Sequence, residues 1–271
     1  MTIKDLILVS DLDGTIIPET GIISRKNIEA IEKFCKLGGT FTIATGRSPI
    51  QAKGFLKEMG INGPMIANNG AVIYDPKTDE NLWIKNFDKS YKEVLLDVKK
   101  QFPHIGIVAI SGKDKYDVIS NNSIVEEYSR MCQAVYHNNV NGELPDDCCK
   151  VLFAIAESDL SEVSTYLLSK EYDNVAFVLS GGNCFEMMPI GVSKGYPFER
   201  LIQIFGKKLE NSVAIGDYNN DIEMIEKAGI GVAVENALDN VKAVANLVVK
   251  SCEDDGLADL IEYLINNIDK I

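Results

Sequence analysis

Histidine is almost missing from this chain: His104 and His137 are the two in 271 residues, and neither has a serine or cysteine signature beside it. That argues against a histidine-based catalytic triad. Cysteine occurs six times, at Cys35, Cys132, Cys148, Cys149, Cys184 and Cys252, with no C-x-x-C pair. Adjacent Cys148 and Cys149 do not have zinc-ligand spacing, and the six read as reduced thiols, several of them buried, in a cytoplasmic protein. Positive charge is in deficit: 27 Lys and Arg stand against 40 Asp and Glu, for a net charge of −13. That balance argues against a nucleic-acid partner. The Lys99-Lys100 and Lys207-Lys208 pairs read as solvated helix faces. Long hydrophobic runs are missing too. The apolar run after Lys4 and Asp5 is too short for a signal peptide or a membrane span, so no membrane association is expected. Neither G-x-G-x-x-G nor G-x-x-x-x-G-K-[ST] follows the first strand, which argues against dinucleotide and P-loop binding.

What is present reads as a soluble globular protein, 46% apolar and 25% charged, long enough for one large domain or two. Leu6-Ile7-Leu8-Val9-Ser10 has the β-branched, unbroken apolar character of a buried parallel strand. Ser24 reads as the N-cap of a helix carrying Ile28, Ile31 and Cys35 and ending at Gly38-Gly39. A second strand spans 40–44. Ser48-Pro49 opens a helix that buries Ala52, Phe55, Leu56 and Met59 and stops at Gly60, and a third strand covers 65–67. This alternation predicts a doubly wound parallel α/β sheet with right-handed crossovers. The rhythm resumes late: a helix over 194–205, a strand over 212–215, a helix to 228, strands at 230–234 and 247–249, and a helix over 257–268.

The middle differs. A hairpin is expected at 71–74 and 82–84, then a helix at 91–102, strands at 105–110 and 116–119, and a helix capped by Ser123 that reaches Met131. A strand near 134–137, a strand at 151–156, a helix at 160–169 and strands at 175–179 and 184–187 follow. This pattern reads as an α+β module inserted into the first domain. The expected division is a core of residues 1–82 and 189–271 with an inserted domain of residues 83–188.

Chemistry concentrates at the ends of the core strands. Asp11 and Asp13 follow the first strand, and Gly14 lets the chain turn at once. Ligands of open α/β sheets bind beyond the carboxyl ends of strands. Two carboxylates held this close call for a cation, and hard oxygen ligands suit Mg²⁺. A calcium loop is a poor fit, because the ligand at its fifth position and the distal Glu are lacking. Thr45 ends the second strand, Asp217, Asn220 and Asp221 follow a later one, and Lys194 opens a helix that could point to the same crevice. A carboxylate nucleophile, an acid/base, a hydroxyl donor, a cation and a metal site are what phosphoryl transfer through an aspartyl phosphate requires.

Asp11-Leu12-Asp13-Gly14-Thr15, Thr45-Gly46-Arg47, Lys194-Gly195 and Gly216-Asp217-Tyr218-Asn219-Asn220-Asp221 resemble, in order, the four motifs of the haloacid dehalogenase (HAD) superfamily. The long insertion before the lysine, Asn69-Gly70 and Cys184-Phe185-Glu186-Met187 resemble its Cof-type sugar-phosphatase branch. The resemblance implies a Rossmannoid core with an inserted cap. It also implies a Mg²⁺-dependent phosphatase acting on small phosphomonoesters, sugar phosphates or similar metabolites. Asp11 is then the nucleophile. Asp13 is the acid and base. The metal is held by Asp11, the backbone carbonyl of Asp13 and Asp217. Thr45, Gly46, Lys194 and Asn220 receive the phosphate, and Asp221 orients a metal-bound water or Lys194. Arg47 stays outside the catalytic set, and the roles of Asn69 and Glu186 stay open. Two rivals are a phosphotransferase or phosphomutase on sugars and a receiver-like phospho-acceptor domain. The second is disfavoured by its shorter length and by Asp13, which is placed to activate water. The inserted module is expected to cover the crevice and select the substrate through the polar turns Gly112-Lys113-Asp114-Lys115 and Ser180-Gly181-Gly182-Asn183. A monomer or weak homodimer is expected.

Overall fold

A computed structural model describes residues 2–61, 63–131, 134–140, 142–170, 172–179 and 184–268. It separates into two compact units, Met1–Arg47, Ala52–Leu82 and Ser193–Ile271 in one, Ser48–Gln51 and Trp83–Val192 in the other.

In the first unit, β1 (Ile7–Ser10) is buried at every position, as its run of large apolar residues demands. Helix α1 (Arg25–Lys36) begins where the Ser24 side chain accepts a hydrogen bond from the Asn27 N–H at 3.0 Å. Its buried stripe is Asn27, Ile31 and Phe34, while the expected Cys35 is exposed. The stripe turns by one position because the phenyl group of Phe34 takes the core place. Strand β2 (Thr40–Ile43) and helix α2 (Pro49–Glu58) follow. Ala52, Leu56 and Met59 are buried. Phe55 is half-buried, with the Arg47 guanidinium 4.7 Å from its ring centroid.

Strand β3 (Met65–Ala67) is the expected third strand, and it also opens a second sheet. It pairs antiparallel with β4 (Val72–Asp75) and meets the main sheet through a parallel bridge between Ala44 and Ile66. The cause is local: Asn68, Asn69 and Gly70 all have positive φ and turn the chain straight back. Strand β5 (Glu80–Ile84) completes this three-stranded sheet.

The second unit contains, in order, α3 (Tyr91–Gln101), β6 (Gly106–Ser111), β7 (Tyr116–Ser120), α4 (Ser123–Met131), β8 (Tyr136–Asn138), β9 (Cys148–Ala154), α5 (Glu157–Ser169), β10 (Val175–Leu179) and β11 (Cys184–Pro189). Asn122, rather than the expected Ser123, caps α4: its Oδ1 accepts from the Val125 N–H at 3.0 Å. The sheet order is β10-β11-β9-β6-β7-β8, with β7–β8 the parallel pair. Tyr91, Leu95 and Val98 of α3 and Val163 and Leu167 of α5 pack with Ile107, Phe153, Phe185 and Met187 in one core. The turn at Gly112–Lys115 includes Asp114 at φ 54°, and residues 180–183 lie outside the described residues.

The chain then returns to the first unit through α6 (Phe198–Ile204), β12 (Ser212–Gly216), α7 (Ile222–Lys227), β13 (Ile230–Val234), α8 (Asp239–Val244), β14 (Leu247–Val249) and α9 (Gly256–Asn267). The expected helix start at Lys194 is four residues early. Pro197 disfavours helical backbone at Tyr196, so residues 193–197 form turns. The main sheet is parallel, in the order β14-β13-β12-β1-β2, with helices supplying the crossovers. Strand order reverses at β1: the chain leaves it for β2 on one side and later fills β12 to β14 on the other. The carboxyl ends of β1 and β12 therefore flank the crevice where doubly wound sheets bind ligands. Among the described residues, no helix is long and apolar enough to cross a membrane.

Asn27 ties the first helix to the last. It is buried, and its Oδ1 accepts from the Ala258 N–H at 2.9 Å. Asn27→Ala leaves that N–H buried without an acceptor. It is expected to lower unfolding stability by about 1–3 kcal/mol, read as a lower urea midpoint with unchanged slope.

Candidate active site

Each strand end contributes a different kind of group. Asp11 leaves β1 with its N–H donating to the Ile215 carbonyl of β12 at 2.9 Å, which sets it against the loop after β12. In that loop Asp217 accepts from the Thr15 hydroxyl at 3.0 Å. Gly14 makes the approach possible. Its φ is +80°, and a Cβ there would stand 2.5 Å from Asp217 Oδ2. Asp221 turns back over the same loop, its Oδ2 accepting from the N–H groups of Asp217 and Tyr218, each at 3.1 Å.

Lys194 closes the group. Its Nζ donates to Asp11 Oδ1 at 2.5 Å and to Asp221 Oδ1 at 2.7 Å. The lysine is 2% exposed, Asp11 4% and Asp221 0%, so the charges interact through protein rather than water. Burial works against the ammonium, but the carboxylates of Asp11 and Asp221 outweigh it and hold its pKa above the ordinary lysine value. Asp11 is driven the other way. Burial first, then repulsion from Asp221 and Asp217, raise its pKa well above the usual carboxylate range against the pull of Lys194. Asp217 is raised by burial and by Asp221.

One oxygen from each of Asp11, Asp217 and Asp221 lies within 4.8 Å of the others. Three carboxylates face one ammonium, a local excess of negative charge on hard oxygen donors. A divalent cation fits such a donor set. Asp221 has both oxygens engaged already, one by Lys194 and one by two backbone N–H groups. Asp11 and Asp217 are therefore the better direct ligands.

The remaining candidates lie around this cluster. Thr45, fully buried past the end of β2, accepts from the Arg47 N–H at 3.1 Å through Oγ1, which leaves its hydroxyl proton to donate elsewhere. Gly46 follows it. Asp13 is half-exposed. Its carboxylate is gripped by Arg47, Nε to Oδ2 at 2.8 Å and Nη2 to Oδ1 at 2.7 Å. Asn220 donates from Nδ2 to Asn69 Oδ1 at 2.9 Å. Two residues without a role in the sequence reading thus enter the site. Arg47 holds Asp13 and Thr15 holds Asp217. Their motifs were in view, but a side chain's direction is not written in a motif. Glu186 lies in the second unit, buried and paired with Lys150 at 2.5 Å.

The family model described as haloacid dehalogenase-like hydrolase matches residues 8–261. Over 267 residues the chain is 26% identical to the 5-amino-6-(5-phospho-D-ribitylamino)uracil phosphatase YitU of Bacillus subtilis, covering 95% of this chain and 97% of that one. It is 26% identical over 260 residues to the HMP-PP phosphatase of Yersinia enterocolitica, covering 95% and 94%. Among solved structures, a haloacid dehalogenase-like hydrolase from Bacteroides thetaiotaomicron superposes with a TM-score of 0.82 at 24% identity, covering 96% of this chain and 99% of that one. TM0651 from Thermotoga maritima gives 0.81 at 26% identity, covering 95% and 97%.

The raised carboxyls make a pH prediction. A folded-state pKa above the unfolded value contributes stability that is complete below the unfolded pKa, about 4 for Asp, and is lost as pH rises through the folded value. With divalent cations chelated, the unfolding temperature is expected to fall as pH rises above the unfolded Asp value of about 4. Asp217→Asn, neutral throughout, should make that fall shallower. An equal slope in both proteins would show that the cluster does not set it.

Proposed function

The chain belongs to the haloacid dehalogenase-like hydrolase family, in its Cof-type branch, and is a phosphoric monoester hydrolase; we propose that it hydrolyses small phosphomonoesters with Mg²⁺ through an aspartyl phosphate. The observation that carries this reading is the buried Asp11–Lys194–Asp221 group with Asp217 beside it, at the point where the strand order reverses. The two relatives named above are phosphatases of small phosphorylated molecules by name, which supports the substrate class.

Asp11 supplies the carboxylate oxygen that attacks phosphorus. The bond to the ester oxygen breaks, and Asp13 gives that oxygen its proton. In the second half Asp13 takes a proton from water as the water oxygen attacks the aspartyl phosphate. The phosphorus–Asp11 bond then breaks and inorganic phosphate leaves. Lys194 offsets the charge on Asp11 and on the transferring group, while the Thr45 hydroxyl, the Gly46 backbone and Asn220 receive phosphate oxygens. Asp11, Asp217 and the Asp13 carbonyl would hold Mg²⁺, which when bound supplies positive charge that draws phosphate and carboxylate together. Asp221 keeps Lys194 aimed at Asp11. Arg47 holds the Asp13 carboxylate through both of its oxygens. The inserted unit carries substrate choice, because its loops can vary while its separate core and the main sheet stay intact.

Phosphate release from a panel of sugar phosphates, nucleotides and cofactor phosphates with Mg²⁺ tests the reading. The wild type is expected to turn over one class of ester, and Asp11→Asn none of it while remaining folded. Asp13→Ala should slow formation and breakdown of the intermediate by about 10²–10⁴-fold each. Turnover by Asp11→Asn at the wild-type rate would remove the nucleophile assignment.

Metal dependence separates two acidic residues that stand close together. Asp217→Ala is expected to raise the Mg²⁺ concentration needed for half-maximal activity more than Asp221→Ala does. Ca²⁺ should compete with Mg²⁺ while supporting little turnover, because its longer, looser coordination misplaces the in-line geometry. Identical Mg²⁺ titrations of the two variants would count against Asp217 as a ligand.

A further inference from the structure

Asn69 is used by none of the steps above, yet it borders three of the four loops they need. Its backbone is left-handed, φ 53° and ψ 31°, and it is 2% exposed. Its N–H donates to the Thr45 carbonyl at 3.0 Å, and the N–H of Asn68 donates to the Arg47 carbonyl at 2.9 Å. The fit to the loop after β2 is close: a Cβ on Gly46 would lie 2.9 Å from Asn69 Oδ1. On the other side, Gly70 has φ +99°, and a Cβ there would fall 1.8 Å from the carbonyl oxygen of Ser193, the residue before Lys194. The third neighbour is Asn220, whose Nδ2 donates to Asn69 Oδ1 at 2.9 Å.

That last bond is the tether of Asn220 among the described residues, since Asn220 Oδ1 is buried with no hydrogen-bond partner. A short amide with one tether takes its direction from that tether. Without it the side chain must be ordered again each time an anion binds, and the ordering costs affinity.

We infer that Asn69 is a positioning residue for the phosphate end of the site: it aims Asn220 and fixes the Thr45–Gly46 backbone against which phosphate is received. This rests on the phosphatase reading. A merely structural role makes a different demand. Reversing the chain after β3 requires a residue that accepts positive φ, and glycine does that at no steric cost. Aiming Asn220 requires a side-chain acceptor as well. Asparagine combines the acceptor with tolerance of the left-handed region.

Glycine at this position therefore separates the two roles. The experiment measures the dissociation constant of inorganic phosphate by calorimetry with Mg²⁺ present, and kcat/KM on p-nitrophenyl phosphate. The proteins are wild type, Asn69→Gly, Asn220→Ala and the double variant. Asn69→Gly is expected to keep its unfolding temperature and to weaken phosphate binding about tenfold, the scale of one lost hydrogen bond. In the Asn220→Ala background the same change should cost less than about twofold, because the group it positions is gone. Asn69→Asp keeps both the turn and the acceptor, and its added charge acts equally in either background. Asn220→Ala should therefore cost Asn69→Asp the same factor as it costs the wild type, whether or not Asn69→Gly folds. Fold-losses that multiply independently, or wild-type phosphate affinity in Asn69→Gly, overturn the inference while leaving the phosphatase reading in place. A wild type that neither binds phosphate nor releases it from any ester removes the reading and this inference with it.

Discussion

One buried ammonium among three carboxylates governs the first unit of this protein. Lys194 touches Asp11 and Asp221 directly, and Asp217 completes the acidic group. Such a cluster is not a stability device, because desolvating the charges offsets much of their attraction. It persists because the surrounding backbone is committed to it. Two successive N–H groups feed Asp221, the Thr15 hydroxyl feeds Asp217, and the absent side chain of Gly14 leaves room for the Asp217 carboxylate. The charge left over after Lys194 is counted makes the site a receptor for further positive charge.

The parts of the cluster come from distant stretches of chain. Lys194 lies 183 residues from Asp11, and Thr15 lies 202 from Asp217. The parallel sheet brings them together by placing β1 directly beside β12. Most of the separation is occupied by a unit with a core of its own, built on α3, α5 and a mostly antiparallel sheet. Its strand ends need only return the chain to Ser193. The loop-closure cost of such an insertion grows slowly with length. A long folded module is therefore tolerated within an otherwise compact α/β core.

Arg47 and Asn69 show a second layer of organisation. Neither joins the buried cluster, yet each holds a residue at its edge: Arg47 grips Asp13 with two N–H groups, and Asn69 accepts from Asn220. Both belong to loops that follow a strand of the first unit. The same turns that end β2 and β3 thus place polar groups around the acidic centre.

Much of the fold was legible in the residues themselves. The apolar run ending in Asp11-Leu12-Asp13-Gly14 announces a buried strand with carboxylates at its carboxyl end, and Gly216-Asp217 repeats the signal after β12. These readings work because burial on both faces and a turn after the strand are local demands, met by residue type. The misses are where a local signal met a competing constraint. Phe34 displaced Cys35 from the core face of α1, and Pro197 delayed α6. The chain order of the motifs named the acidic and basic partners. It did not say that Asp13 turns to Arg47 while Asp221 joins Asp11, or that Asn220 leans on Asn69. Those choices depend on which side chains meet across strands far apart in sequence, where distance, burial and the geometry of each hydrogen bond decide, and only the tertiary structure sets them.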